Sequence, residues 1–110
     1  MATAYKILGQ ANPSATTLST LYTSTSVETI VSTIAVANLA GSSATFRIIV
    51  QTAADAGSAV NKQYLAYDVT VGALDTTTLT LGITLASGDI IKVYASTANL
   101  AFNAFGSQIS

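Results

Sequence analysis

The sequence predicts an all-β domain: a single antiparallel β-sandwich of about seven to eight strands, jelly-roll or immunoglobulin-like. Three observations lead there. Apolar and polar residues alternate with period two over most of the chain. β-Branched residues crowd the alternating runs. Turn-forming clusters interrupt these runs roughly every ten to twelve residues, and no convincing helical pattern lies between them.

The clearest alternation covers residues 76–85. Leu79, Leu81, Ile83 and Leu85 form one row, and Thr78, Thr80, Gly82 and Thr84 the other. One face is apolar and the other mostly hydroxyl-bearing, as in a half-buried antiparallel strand. Phe46, Ile48 and Val50 alternate with Thr45, Arg47 and Gln51, while Ile49 makes the second face partly apolar. Residues 27–38 read as a long strand rather than a helix, because their β-branched side chains lose rotamer freedom in a helix. Leu65, Tyr67, Val69 and Val71 mark another strand, Ile91, Val93 and Ala95 the next, and Leu100, Phe102 and Ala104 the last. Residues 17–23 add one more, and residues 5–8 a short edge strand. Phe102 and Phe105 do not share one period-two face. A bend near Asn103, or a contact of the chain end with a neighbour, is therefore expected.

Residues 1–110 form one domain, with residues 1–13 read as an N-terminal arm ahead of the Asn12-Pro13-Ser14 breaker. Ala40-Gly41-Ser42-Ser43 is a tight connection, and the longest loop, residues 52–61, holds Asp55-Ala56-Gly57-Ser58. Gly72-Ala73-Leu74-Asp75 and Ser87-Gly88-Asp89 read as hairpin turns. Gly82, alone inside a strand, marks a bulge or the close approach of another chain.

Composition excludes several classes of function. There is no cysteine and no histidine, so disulfides, thiolate metal sites, imidazole bases and thiolate nucleophiles are all ruled out. Four basic and five acidic side chains are scattered along the chain. That argues against nucleic acid, whose phosphates need clustered cations, and against an anionic membrane surface. The longest apolar stretch, residues 30–40, is too short for a membrane-spanning helix. Charged residues make up 8% of the chain, against about 25% in an average soluble domain. A surface so poor in charge points to cover by neighbours, and hence to a homo-oligomer or larger assembly.

No enzyme, cofactor or metal site is expected. Asp55, Asp75 and Asp89 read as turn residues that bond nearby backbone. Asp68 reads as a partner for a cross-strand Lys or Arg. Neither Asp55-Ala56-Gly57 nor Gly88-Asp89 continues into a calcium loop. Tyr64 and Tyr67 are expected on opposite faces, one in the core and one at the surface. The tyrosines fit core or subunit-interface positions better than sugar-stacking platforms, because each combines an apolar body with a polar tip. Termini fray unless tied down, so the chain ends are expected at interfaces, through Tyr5, Ile7, Leu8, Phe105 and Ile109.

The motifs Lys6-Ile7-Leu8-Gly9-Gln10, Leu21-Tyr22-Thr23, Thr45-Phe46-Arg47-Ile48, Asn61-Lys62-Gln63-Tyr64-Leu65-Ala66-Tyr67-Asp68 and Val93-Tyr94-Ala95-Ser96-Thr97-Ala98-Asn99 span nearly the whole chain. Together they resemble small virion structural proteins of tailed marine phages of the cyanophage type. The resemblance implies a particle component without catalysis, located in the virion and partnered by other virion proteins such as the major capsid protein. A capsid decoration or cement subunit is the leading expectation. A tail, baseplate or fibre-attachment subunit is the alternative, and a carbohydrate-binding or adhesion module is a second. One departure is Ser24-Thr25-Ser26, where such proteins tend to place a Pro/Gly turn. A longer or differently shaped first hairpin is expected there.

Overall fold

The computed structural model describes residues 3–109. It contains eight strands: β1 (Thr3–Ala11), β2 (Ser19–Thr23), β3 (Glu28–Asn38), β4 (Ala44–Gln51), β5 (Tyr64–Val71), β6 (Thr76–Leu85), β7 (Ile90–Ala95) and β8 (Leu100–Ile109). Two short 3-10 turns, Ala53–Asp55 and Asn61–Gln63, lie in the β4–β5 connection.

The strands form two four-stranded sheets in the orders β1-β8-β3-β6 and β2-β7-β4-β5. Every pairing is antiparallel. The first strand pairs with the last, the second with the seventh, the third with the sixth and the fourth with the fifth. The chain is thus one long hairpin with its tip at β4–β5, rolled into two layers. That is the jelly-roll arrangement, and it decides between the two sandwich types the periodicity allows.

Only β4 and β5 are consecutive strands of the same sheet. The segments at Gly72–Asp75 and Ser87–Asp89 carry the chain from one layer to the other and are not hairpin turns. The same holds for Ser24-Thr25-Ser26. Turn chemistry reports that the chain reverses, and is silent about the layer it returns to.

The core lies between the layers, where the period-two rows of both sheets interdigitate. Val31, Ile34, Val36, Phe46, Ile48, Ile91, Val93, Leu100 and Phe102 are fully buried. Phe46 on β4 meets Phe102 on β8 edge to face, at 6.1 Å between centroids and 77° between planes. β8 runs through Asn103 as one unbroken strand. Phe102 faces the core and Phe105 faces solvent, as their odd spacing requires.

Buried polar side chains close the ends of this core. The hydroxyls of Tyr22 and Ser24 both bond the Thr29 hydroxyl, at 2.8 and 2.7 Å, and Gln108 Nε2 donates to the Tyr22 hydroxyl at 2.7 Å. At the opposite end Asn38 Nδ2 donates to the Ser42 carbonyl at 2.8 Å and its Oδ1 accepts from the Ala40 amide at 3.0 Å. Gln51 and Gln63 bond each other at 3.0 Å and anchor the β4–β5 loop through Gly57 and Asp55. Among the described residues no buried side-chain polar atom lacks a partner.

A seam of bulges crosses the first sheet. β1 shifts register against β8 between Ile7 and Gly9. β3 shifts against both β8 and β6 between Val31 and Thr33. Gly82 of β6 lies in that shift with φ +61, a left-handed conformation that glycine adopts without strain. Gly106 also sits at the seam, where a Cβ would run into the Ile30 carbonyl.

Two substitutions test this packing in urea unfolding. Phe102→Ala is expected to cost ~3–5 kcal/mol, by removing the ring that joins the sheets. Gly106→Ala is expected to cost about 2 kcal/mol, because β3 backbone must move to admit the methyl. Gly41→Ala, whose added Cβ meets nothing, should stay within about 0.5 kcal/mol of wild type.

Candidate interaction face

Beyond the seam, residues 3–7 of β1 are exposed at every position, so this half of the edge strand is covered on neither face. The two edges of the other sheet are blunted. β2 has 5 residues and a register shift. β5 has two register shifts against β4. The far edge of the first sheet, β6, carries one bulge, at Gly82, as β1 does between Ile7 and Gly9. Short strands and bulges are the usual means of preventing edge-to-edge pairing. The outer half of β1 is regular and has only Lys6 to deter it.

Register builds an apolar patch on the adjoining outer face. Ser107 of β8 lies between Tyr5 of β1 and Ile30 of β3, and Phe105 lies beside Ile7. The small serine leaves a depression walled by Tyr5, Ile7, Ile30 and Phe105. Their exposures are 84%, 55%, 41% and 37%. Four solvent-facing apolar side chains on neighbouring strands form a patch, whereas scattered single ones carry no such meaning.

Of the residues expected at interfaces, Tyr5, Ile7 and Phe105 are therefore brought together. Ile109 pairs with Thr3 and Glu28 in the next row and lines an adjacent depression with Glu28, Ile30 and Thr84. Leu8 is different: it follows outward-facing Ile7, so alternation points it inward, where it packs against the core. Residues 3–11, read as part of an arm, are a paired strand. Ile30 was not among the residues expected at interfaces, because it sits mid-sequence in a run of core residues. The only sequence signal for it is its parity opposite to Val31.

A second cluster occupies the outer face of the other sheet. Arg47 of β4 donates from Nε to Asp68 Oδ1 at 2.6 Å and from Nη2 to Asp68 Oδ2 at 3.3 Å. Its guanidinium is stacked between the rings of Tyr67 and Tyr94, 4.1 and 4.4 Å from their centroids. Tyr64 meets Tyr67 edge to face at 4.9 Å. Tyr64 and Tyr67 thus share one face, contrary to strict alternation. Two register shifts in β5 and the left-handed backbone of Asp68, φ +51, rotate them together. The cross-strand partner expected for Asp68 is Arg47. Asp75 and Asp89 cap local backbone amides, at 2.8 and 2.9 Å, and Asp55 pairs with Lys62 at 3.2 Å.

The bidentate hydrogen bond from Arg47 holds the Asp68 carboxyl below the usual carboxylate range, and the same bond raises the arginine. Among the described residues no group of three or more acidic side chains could hold a metal. No family model, curated protein or solved structure matches this chain.

The Asp68 shift fixes the sign of a pH effect. A carboxyl depressed in the folded state adds stability above its unfolded value, and that stability is lost as pH falls through the folded value. Asp68→Asn is therefore expected to melt below wild type at neutral pH. The gap should close progressively below about pH 4, where the unfolded aspartate takes its proton. Melting temperature against pH for both proteins checks it.

Proposed function

We propose that the chain is a structural subunit of a tailed-phage virion, a decoration or cement protein that packs on the capsid shell and performs no catalysis. The observation that carries this reading is the apolar patch of Tyr5, Ile7, Ile30 and Phe105 beside the uncovered half of β1. The virion-protein resemblance of the sequence motifs supplies the setting. In this reading the patch buries against a shell protein or another copy, and the free edge offers main-chain hydrogen bonds to an added strand. Burying one such side chain contributes ~1.5–3 kcal/mol. One contact of this size is weak, and repetition over a lattice multiplies it. The 8% charge content suits a surface covered in the assembly.

The test uses purified particles. Mass spectrometry should find the protein at a copy number on the scale of the shell lattice. Recombinant wild type should rebind shells stripped of it. Phe105→Ser combined with Ile30→Ser should weaken rebinding at least about tenfold while keeping the wild-type melting profile. Particles that contain none of the protein, or rebinding unchanged by both substitutions, would overturn the proposal.

A further inference from the structure

The outer face of the β2-β7-β4-β5 sheet holds a cavity that the packing role does not use. It lies between the β1–β2 loop and the β4–β5 loop and has a volume of about 310 Å³, lined by Thr16, Leu18, Arg47, Ile49, Ala59, Tyr64 and Tyr94. Its floor is Ile49, which is fully buried yet belongs to the outer row rather than the inter-sheet core. Two loops thus shape a depression on a sheet face that would otherwise be flat.

Strain gathers around it. Four non-glycine residues have positive φ among those described, and two of them, Thr16 at 54° and Asp68 at 51°, adjoin this cluster. A β-branched residue in this region is a true outlier, held only where its surroundings enforce it. Thr16 is held by its amide, which donates to the Ala95 carbonyl at 2.8 Å.

From this cavity we infer a binding site for a neutral pyranose unit of a glycan, with Tyr64 and Tyr94 as the wall for the sugar's apolar face and Arg47 as hydroxyl donor. Three features select that class. The tyrosine rings offer flat apolar surface beside polar tips. Arg47 spends Nε and Nη2 on Asp68, which leaves Nη1 free to donate among the described groups. Finally, the one charged group of the lining, Arg47, is paired with Asp68, which offsets its preference for an anion. The stack between Tyr67 and Tyr94 locks the guanidinium plane, so its donors are positioned before a ligand arrives.

The experiment is a heteronuclear NMR titration of the isolated chain with methyl β-D-glucopyranoside, methyl α-D-mannopyranoside, methyl β-D-galactopyranoside and glucuronate. At least one neutral glycoside should give saturable shifts at Arg47 Nε–H and at the amides of Thr16, Ala59 and Tyr64, with a Kd near ~1 mM. Ala59→Trp fills the cavity from the loop, and should weaken that binding at least about tenfold. The wild-type titration is decisive without the variant. No saturable shift at these sites with any neutral glycoside up to about 50 mM, or tighter binding of glucuronate, overturns the inference. So does unchanged binding by a folded Ala59→Trp. None of these outcomes bears on the shell-binding patch, which lies on the other sheet.

Discussion

Phe46 and Phe102 meet between the two sheets, and the rest of the molecule is arranged around keeping that contact dry. Each ring belongs to a central strand, β4 in one layer and β8 in the other. A jelly roll brings them together because the rolled hairpin alternates its arms between layers. Every connection except β4–β5 must then cross from one sheet to the other. The ends of the core are where these crossings run, and they are where the buried polar side chains are found. Asn38, Tyr22, Ser24, Thr29 and Gln108 satisfy backbone and one another there, so that water need not enter.

The outer faces are shaped by departures from regular pairing. In one sheet the seam at Leu8, Ser32 and Gly82 changes which residues of β1, β3 and β6 face out. Past that seam, Tyr5, Ile7, Ile30 and Phe105 stand together in solvent. In the other sheet the shifts in β5 bring Tyr64 and Tyr67 onto one face and set Asp68 against Arg47. A bulge costs ladder hydrogen bonds locally and returns a re-aimed side chain. Both surfaces proposed to make contacts lie next to such places.

The two surfaces differ in chemistry as well as position. The β1–β8–β3 patch is open and apolar, and its neighbouring edge has unpaired main-chain groups, features that suit a protein partner. The Arg47 cluster is partly exposed and internally paired, with a small open depression at its side. A subunit fixed to a particle by the first would leave the second on a separate sheet face.

Most strands are legible in residue order, because period-two burial is written directly in it. The sequence by itself located β3, β4, β6, most of β5 and β7 and the first half of β8, and it identified the inward rows of β4, β7 and β8, whereas Leu65, Tyr67 and Leu81, read within apolar rows, face solvent. The expected pairing of Asp68 and the bulge at Gly82 were legible for the same local reason: a charged residue in a strand needs a partner, and glycine tolerates positive φ. Tertiary structure decided what depends on distant segments. Layer assignment is one case, since a turn looks the same whether it closes a hairpin or crosses between sheets. Bulge register is another, since an extra residue inverts parity and set Tyr64 beside Tyr67. The patch needed both: Tyr5 and Phe105 are a hundred residues apart, and only the closure of β1 on β8 makes them neighbours.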